Sequence, residues 1–181
     1  MKWGESEHRK QIIELNRLWE GLRGLSELAK QNGIDDILQD NGAKTLQQSI
    51  LANFRILSPR EGNDAVDEYG QEWEMKSANI NKVQGFSTHH HLNEEILKKY
   101  RKVPWLFSLY RGIELQAIYV MHPSKLEPHF LRWEQKLPTQ PDINNPKIPI
   151  KFVKDNGVCI YDAGHLLMSP ADALLHHSPK P

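Results

Sequence analysis

The sequence predicts a mixed α/β fold, in which a mixed central β-sheet is flanked by helices. Three observations carry this expectation. Helical periodicity fills the first third of the chain. From Glu72 onward, a strand–helix–strand passage runs into a hairpin. Apolar residues at 39% and charged residues at 25% describe a globular chain, and 181 residues suffice for one ordinary domain with a core. No apolar run approaches the roughly 18 residues of a transmembrane helix. Met1 to Glu7 is too charged to form the apolar centre of a signal peptide. The lone Cys159 excludes an internal disulfide framework and points to a reducing, cytoplasmic setting.

The elements follow in order. From His8 to Asn32, Ile12, Leu15, Trp19, Leu22, Leu25 and Leu28 recur at three- and four-residue steps, which predicts an amphipathic helix ended by a left-handed Gly33. Its apolar seam could pack on the domain or on a second subunit. A second helix is expected from about Ala43 to Phe54, with Leu46, Ile50, Leu51 and Phe54 inward and Asp40 or Asn41 as cap. After the turn-rich Ser58 to Asp64, a strand should set Trp73, Met75 and Ser77 on one face and Glu72, Glu74 and Lys76 on the other. Asn93 to Lys102 reads as a helix with Ile96, Leu97 and Tyr100 on one side. Val103 to Tyr110 reads as a buried strand, turned by Arg111 to Glu114 into Leu115 to Val120. Six of the eleven prolines lie between Pro123 and Pro149, so loops are expected there around one helical piece, Phe130 to Lys136. Ile148 to Val153 is an edge-strand candidate because it contains Pro149, and the tail from Asp162 is expected to be loosely held.

Lys plus Arg equals Asp plus Glu at 23 each, which on its face argues against a nucleic-acid binder. Position changes that reading. Met1 to Glu74 holds 9 Lys/Arg against 14 Asp/Glu, a net of −5, whereas Met75 to Tyr161 holds 13 against 7, a net of +6. A basic half can meet a polyanion, and an acidic half offers carboxylates for a metal or for solubility. The asymmetry permits DNA without establishing it.

The stretch that carries chemistry is Gly62-Asn63-Asp64, nine intervening residues, then Glu74-Met75-Lys76. Strand alternation puts Glu74 and Lys76 on one face, about 7 Å apart along the backbone. If the preceding strand or turn brings Asp64 alongside, two carboxylates and an ammonium converge, as metal-assisted phosphodiester hydrolysis requires. Two hard oxygen ligands can hold Mg²⁺ and leave positions for water and a phosphate oxygen. Lys76 would orient the water or stabilise the transition state, and the sequence does not fix its protonation. An acidic residue two before a lysine is common by chance, and a solvated strand face is the plain alternative.

A second stretch, Gly85-Phe86-Ser87-Thr88-His89-His90-His91, invites a metal reading, but neighbours in an extended segment point to opposite sides, so only His89 and His91 could share an ion. Ser, Thr and neutral His also offer donors and acceptors to base edges in a major groove. Asn144-Asn145 beside Lys147 forms a similar set, since Asn can bond adenine bidentately. A polar loop with a solvated histidine cluster, and Asn residues capping their own backbone, explain the same residues without DNA.

Longer segments add a resemblance. Gly33-Ile34-Asp35-Asp36-Ile37 through Gly42, Pro59 to Ser77, Gly85 to His91, Lys99 to Trp105, Tyr110 to Tyr119 and Asp142 to Val153 resemble, in order and spacing, the PvuII family of type II restriction endonucleases within the PD-(D/E)XK class. The likeness covers about Leu15 to Tyr161. It implies a restriction-endonuclease-like fold with an N-terminal dimerisation helix, and a Mg²⁺-dependent homodimer that cuts both strands of a palindromic duplex. By similarity the site would be CAGCTG, cut centrally to blunt ends with 5′-phosphates. Asp64, Glu74 and Lys76 would form the catalytic set, with Asp64 and Glu74 as the metal ligands and Tyr100 nearby. His90 and Ser87, with Asn144 and Asn145, would read base edges from a β-ribbon, assisted by His91 and Lys147. Asp40 would touch the minor-groove side. A protecting DNA methyltransferase would be expected in a bacterial host, in the cytoplasm.

The implied organisation is a single endonuclease domain over 1–161, with a dimerisation region at about 8–41. The catalytic core would comprise 42–84 and 92–121, the recognition elements 85–91 and 142–153, and a C-terminal tail 162–181. The chain departs from the pattern in three places. Asn63 stands where the class motif has Pro, a feature the family shares. The connection from Lys136 to Asp142 is shorter, and the tail after Tyr161 has no counterpart. Two rival readings use the same basic half: a DNA-binding regulator without catalysis, and a structure-specific repair or recombination nuclease of the same class. Glu74 and Lys76 on one face argue against the first, and the base-edge set from Ser87 to His91 argues against the second.

Overall fold

The computed structural model describes residues 5–39, 41–57, 63–140 and 142–176, of which the side chains of 5–9, 11, 15 and 16 are left aside. Two compact units divide the chain, Met1–Gln47 and Gln48–Pro181. The first holds α1 (Glu5–Gln31), and α2 (Gly42–Ala52) leads from it into the second.

Helix α1 ends as expected. Gly33 takes φ +77°, and Ile34 N–H donates to Ala29 O at 3.0 Å, which closes the helix with a Schellman-type bond. Ala29, Ile37 and Leu46 form a small buried cluster, with Leu22 and Ile34 against it. Ile12, Ile13, Leu18, Trp19, Leu25 and Leu28 stay exposed, and Glu14–Arg17, Glu20–Arg23 and Glu27–Lys30 pair one turn apart. Leu15 of the expected seam is among the undescribed side chains. In α2 the buried stripe is Leu46, Ser49 and Ala52, so Ile50, expected inward, is 49% exposed. Asn41 stands at the start of α2. It takes the left-handed region (φ 67°) and its carbonyl accepts from Lys44 and Thr45 N–H, while Asp40 lies outside the described residues.

In the second unit a seven-stranded mixed sheet runs in the order β1 (Arg55–Ile56), β2 (Ala65–Val66), β3 (Glu72–Asn79), β5 (Trp105–Arg111), β6 (Glu114–Met121), β8 (Val158–Asp162) and β9 (His165–Leu166). Among the described strands only β3 and β5 run parallel. The helix α3 (Glu94–Tyr100) lies between them in sequence and supplies the crossover such a pair requires. Asn93 starts α3 by accepting from Ile96 N–H at 3.0 Å. Strand β5 is buried on both faces. Trp105, Phe107 and Leu109 join one apolar cluster with α3 and α4 (Pro123–Glu134), and Leu106 and Tyr110 join another with Trp73, Met75 and Ile118. Among the described residues no helix is long and apolar enough to cross a membrane.

Three stretches differ from the sequence expectation. The helical piece placed at Phe130 to Lys136 is the end of α4, which begins at Pro123. That proline occupies the first turn, where a missing N–H costs nothing, and His122 caps it. The expected strand over Ile148 to Val153 is split. Lys147–Pro149 forms β7, and Ile150–Asn156 forms α5, entered through the extended backbone of Pro149, with Ile150 and Val153 buried one turn apart. The tail, expected to be loose, adds β9 beside β8 and a helix, α6 (Pro170–Leu175). Ser169 caps α6, Ala173 is fully buried, and Met168 and Leu174 pack on the second cluster.

β7 pairs antiparallel with β4 (Gly85–Ser87) as a separate two-stranded ribbon, with Phe86 opposite Ile148 and Ser87 opposite Lys147. At Gly85 a Cβ would stand 3.1 Å from Ile148 O, so the close backbone approach favours glycine. Phe86 and Ile148 are fully buried in the first cluster, which fixes the ribbon to the sheet face that carries Trp105 and Phe107.

Candidate active site

Backbone pairing assembles the site. In the antiparallel ladder Ala65 faces Trp73, so the next step brings Asp64 alongside Glu74. Asp64 N–H donates to Trp73 O at 3.1 Å, and Met75 N–H donates to Asp64 Oδ2 at 2.7 Å, which fixes the carboxylate against β3. Glu74 and Lys76 then project from the same face of β3, opposite Trp73 and Met75. Lys76 Nζ forms an ion pair with Glu74 and lies 3.8 Å from Asp64 Oδ2. The ammonium also stands 6.0 Å from the Trp105 ring centroid, because Trp105 faces Glu74 across the parallel β3–β5 ladder.

The three groups differ in their contact with water, and this sets their electrostatics. The side chain of Glu74 is 7% exposed, that of Lys76 16% and that of Asp64 44%. Burial pushes the Glu74 carboxyl up to about 7; Lys76 pulls it down, and the Asp64 charge adds to the rise. Burial opposes the charge on Lys76, but Glu74 and Asp64 together outweigh it and hold its pKa above the ordinary lysine value, so Lys76 is an ammonium here. Tyr100, 4% exposed at the end of α3, donates its hydroxyl to Glu74. Burial, then the Glu74 and Asp64 charges, lift its pKa far above that of a free phenol, so it serves as a neutral donor.

Two carboxyl groups face one ammonium beside a half-exposed Asp64, and the site carries a net negative charge once Glu74 has released its proton. Hard oxygen donors with open coordination positions fit a divalent cation such as Mg²⁺, which keeps several waters and takes few protein ligands. Among the described residues no group of three or more His, Cys, Asp or Glu converges as a metal cage, so any ion at Asp64 and Glu74 would take few protein ligands.

The second candidate set lies on the ribbon and its extension. Beyond Ser87, Thr88 Oγ1 donates to Pro146 O at 2.7 Å, Asn145 N–H donates to His89 O at 2.9 Å, and a bridge joins Leu92 to Ile143. The histidine stretch and Asn144-Asn145 are thus neighbours across one ribbon. His91 Nδ1 lies 3.4 Å from Asp142 Oδ2 across it, and His91 N–H donates to His89 Nδ1 at 3.1 Å. Ser87, His90, Asn144 and Lys147 are exposed, and Asn145 takes φ 47°. Of the ribbon residues, His89 is the one whose imidazole feels the Lys76 charge. Burial, then the nearby Lys76 charge, hold its imidazole below the usual histidine pKa. Asp40 lies outside the described residues.

Sequence reasoning passed over His89, Trp105 beneath Lys76, and Arg101. Trp105 becomes visible once β3 and β5 are paired in register, and His89 only once the ribbon is in place. The third is signalled by Glu127 and Glu134 seven residues apart, two turns along one helix face.

A mixed sheet with flanking helices and a paired-carboxylate strand is restriction-endonuclease-like. The model of the restriction endonuclease PvuII family matches residues 10–161, and the chain belongs to that family. It is accordingly a type II restriction endonuclease, a site-specific deoxyribonuclease that hydrolyses DNA.

Proposed function

We propose that the protein cuts both strands of the palindrome CAGCTG at its centre, leaving blunt ends with 5′-phosphates, as a Mg²⁺-dependent homodimer. The observation that supports this best is the convergence of Asp64 with Glu74 and Lys76 at one face of β3. Asp64 and Glu74 would hold the ion. When bound, Mg²⁺ supplies positive charge against the phosphate and makes a nearby water more acidic. Lys76, as an ammonium, donates to the attacking water or to a phosphate oxygen and is not a base. Tyr100 keeps its proton and fixes Glu74 by donating to it.

Ser87, His90, Asn144 and Asn145 would read base edges in the major groove, with His91 and Lys147 assisting and Asp40 on the minor-groove side. The two-fold symmetry of the palindrome calls for two copies of the chain. The exposed apolar side chains of α1 are the natural contact, with about 8–41 as the dimerisation region. We assign 42–84 and 92–121 to catalysis and 85–91 with 142–153 to recognition. The net charge of +6 between Met75 and Tyr161 suits phosphate contacts. A cytoplasmic restriction role requires a protecting methyltransferase in the bacterial host.

The test is a plasmid with one CAGCTG, incubated with Mg²⁺, Ca²⁺ or chelator. Linearisation with blunt ends at that site, in Mg²⁺ only, is expected. Cutting elsewhere would overturn the specificity, and cutting in chelator would overturn the metal.

A further inference from the structure

Arg101 follows Tyr100 and closes α3, its N–H donating to Leu97 O at 3.2 Å. All three guanidinium nitrogens are engaged. Nε and Nη2 donate to Glu127 at 2.9 to 3.3 Å, and Nη1 and Nη2 donate to Glu134 at 2.7 and 2.8 Å. Both carboxylates sit on the same face of α4, so one planar fork bridges two turns of that helix.

The ring beneath this fork leads to the site. The guanidinium carbon lies 6.0 Å from the Phe130 centroid. Phe130 lies 6.1 Å from Trp105, and Trp105 meets Tyr100 edge-on at 4.6 Å. Trp105 Nε1 also donates to Tyr100 O at 3.2 Å. With the Arg101 side chain 25% exposed and its partners 38% and 47%, the network adds little to stability. Its geometric effect is larger. Helix α3 has seven residues, too few to hold itself, and ends on the residue whose hydroxyl reaches Glu74.

We propose that Arg101 is a positioning residue: by clamping the end of α3 to Glu127 and Glu134, it sets the Tyr100 hydroxyl against Glu74. This rests on reading Glu74 as a carboxylate of the reacting site.

The test is single-turnover cleavage of saturating cognate duplex in Mg²⁺ by wild type, R101Q, Y100F and the double variant, with DNA affinity measured in Ca²⁺. R101Q should cut roughly tenfold to a hundredfold more slowly, since a small misplacement suffices for that. Its DNA affinity should stay near wild type, and it should have no further effect in the Y100F background. E134Q, which leaves Glu127 in place, should lose less. R101K, which keeps the charge without the fork, should recover part of the rate. R101Q at the wild-type rate, or an equal loss in the Y100F background, would overturn the proposal. Should R101Q fail to fold, E134Q in the same cycle decides by the same criteria. Should the wild type itself not cut, the reading of the site falls, and the clamp is judged by near-ultraviolet circular dichroism. A changed Tyr100–Trp105 signal in R101Q or E134Q supports it, and an unchanged one refutes it.

Discussion

Strand β3 and the β4–β7 ribbon solve opposite problems within the second unit. Glu74 and Lys76 are charged groups held almost out of water, so each is defined by its partners and by burial. Ser87, His90 and Asn144 are exposed polar groups on a ribbon anchored by the buried Phe86 and Ile148. The first arrangement fixes charge and suits chemistry. The second fixes shape, leaves its hydrogen-bonding edges open and suits reading. A division of labour follows: changes on β3 should abolish the reaction and spare recognition, and changes on the ribbon should do the reverse.

The largest expected effect comes from Glu74→Ala. If Glu74 holds the ion as proposed, its loss forfeits about 4 kcal/mol of charge stabilisation, on the order of 10³-fold in cleavage rate. Affinity for the duplex should be retained, and a gel-shift series beside single-turnover kinetics checks both.

Next in size is His90→Ala. It should lose about 1–3 kcal/mol of discrimination between CAGCTG and a one-base variant, as expected for one base contact. Competition binding with the two duplexes measures it, and an unchanged ratio would remove His90 from recognition.

A smaller effect concerns pH and belongs to β3 alone. The Glu74 carboxyl is raised to about 7, so it holds its proton below that pH and releases it above. Ion binding needs the carboxylate, so Mg²⁺ affinity should rise about tenfold per unit up to pH 7 and then level off. Calorimetry in buffers of different ionisation enthalpy should detect the released proton. A pH-independent affinity between 6 and 7 would show that Glu74 is not a ligand.

The smallest effect is Lys147→Ala on the ribbon edge. Cognate and altered duplexes should weaken equally, and the salt dependence of binding should fall by about one charge.

The same two regions differ in how much of them the sequence exposes. Alternation over Glu72 to Ser77 is local, so the face shared by Glu74 and Lys76 follows from the strand alone, and Asp64 needs only the adjoining β2 ladder. The ribbon joins Gly85–Ser87 to Lys147–Pro149 across the intervening α3, β5, β6 and α4, and no short-range pattern fixes that register. Proline misled twice in this stretch. Pro123 opens α4 and Pro149 leads into α5, although each reads in isolation as a loop or edge residue. In the tail, Ala173 is a core residue, with Met168 packed against the same cluster, only because α6 folds back on the sheet, a tertiary fact that composition does not carry. Arg101 escaped because its partners lie on another helix, while its own neighbourhood reads as a charged surface turn.

The most direct test of the division of labour is one paired measurement on three proteins. Wild type, Glu74→Ala and His90→Ala are each assayed for the ratio of cognate to altered-site affinity in Ca²⁺ and for the single-turnover rate on saturating cognate duplex in Mg²⁺. The account predicts that Glu74→Ala keeps the affinity ratio and loses the rate, and that His90→Ala loses the ratio and keeps a rate near wild type. A Glu74→Ala protein that cuts at the wild-type rate would contradict the account, as would a His90→Ala protein that discriminates as before.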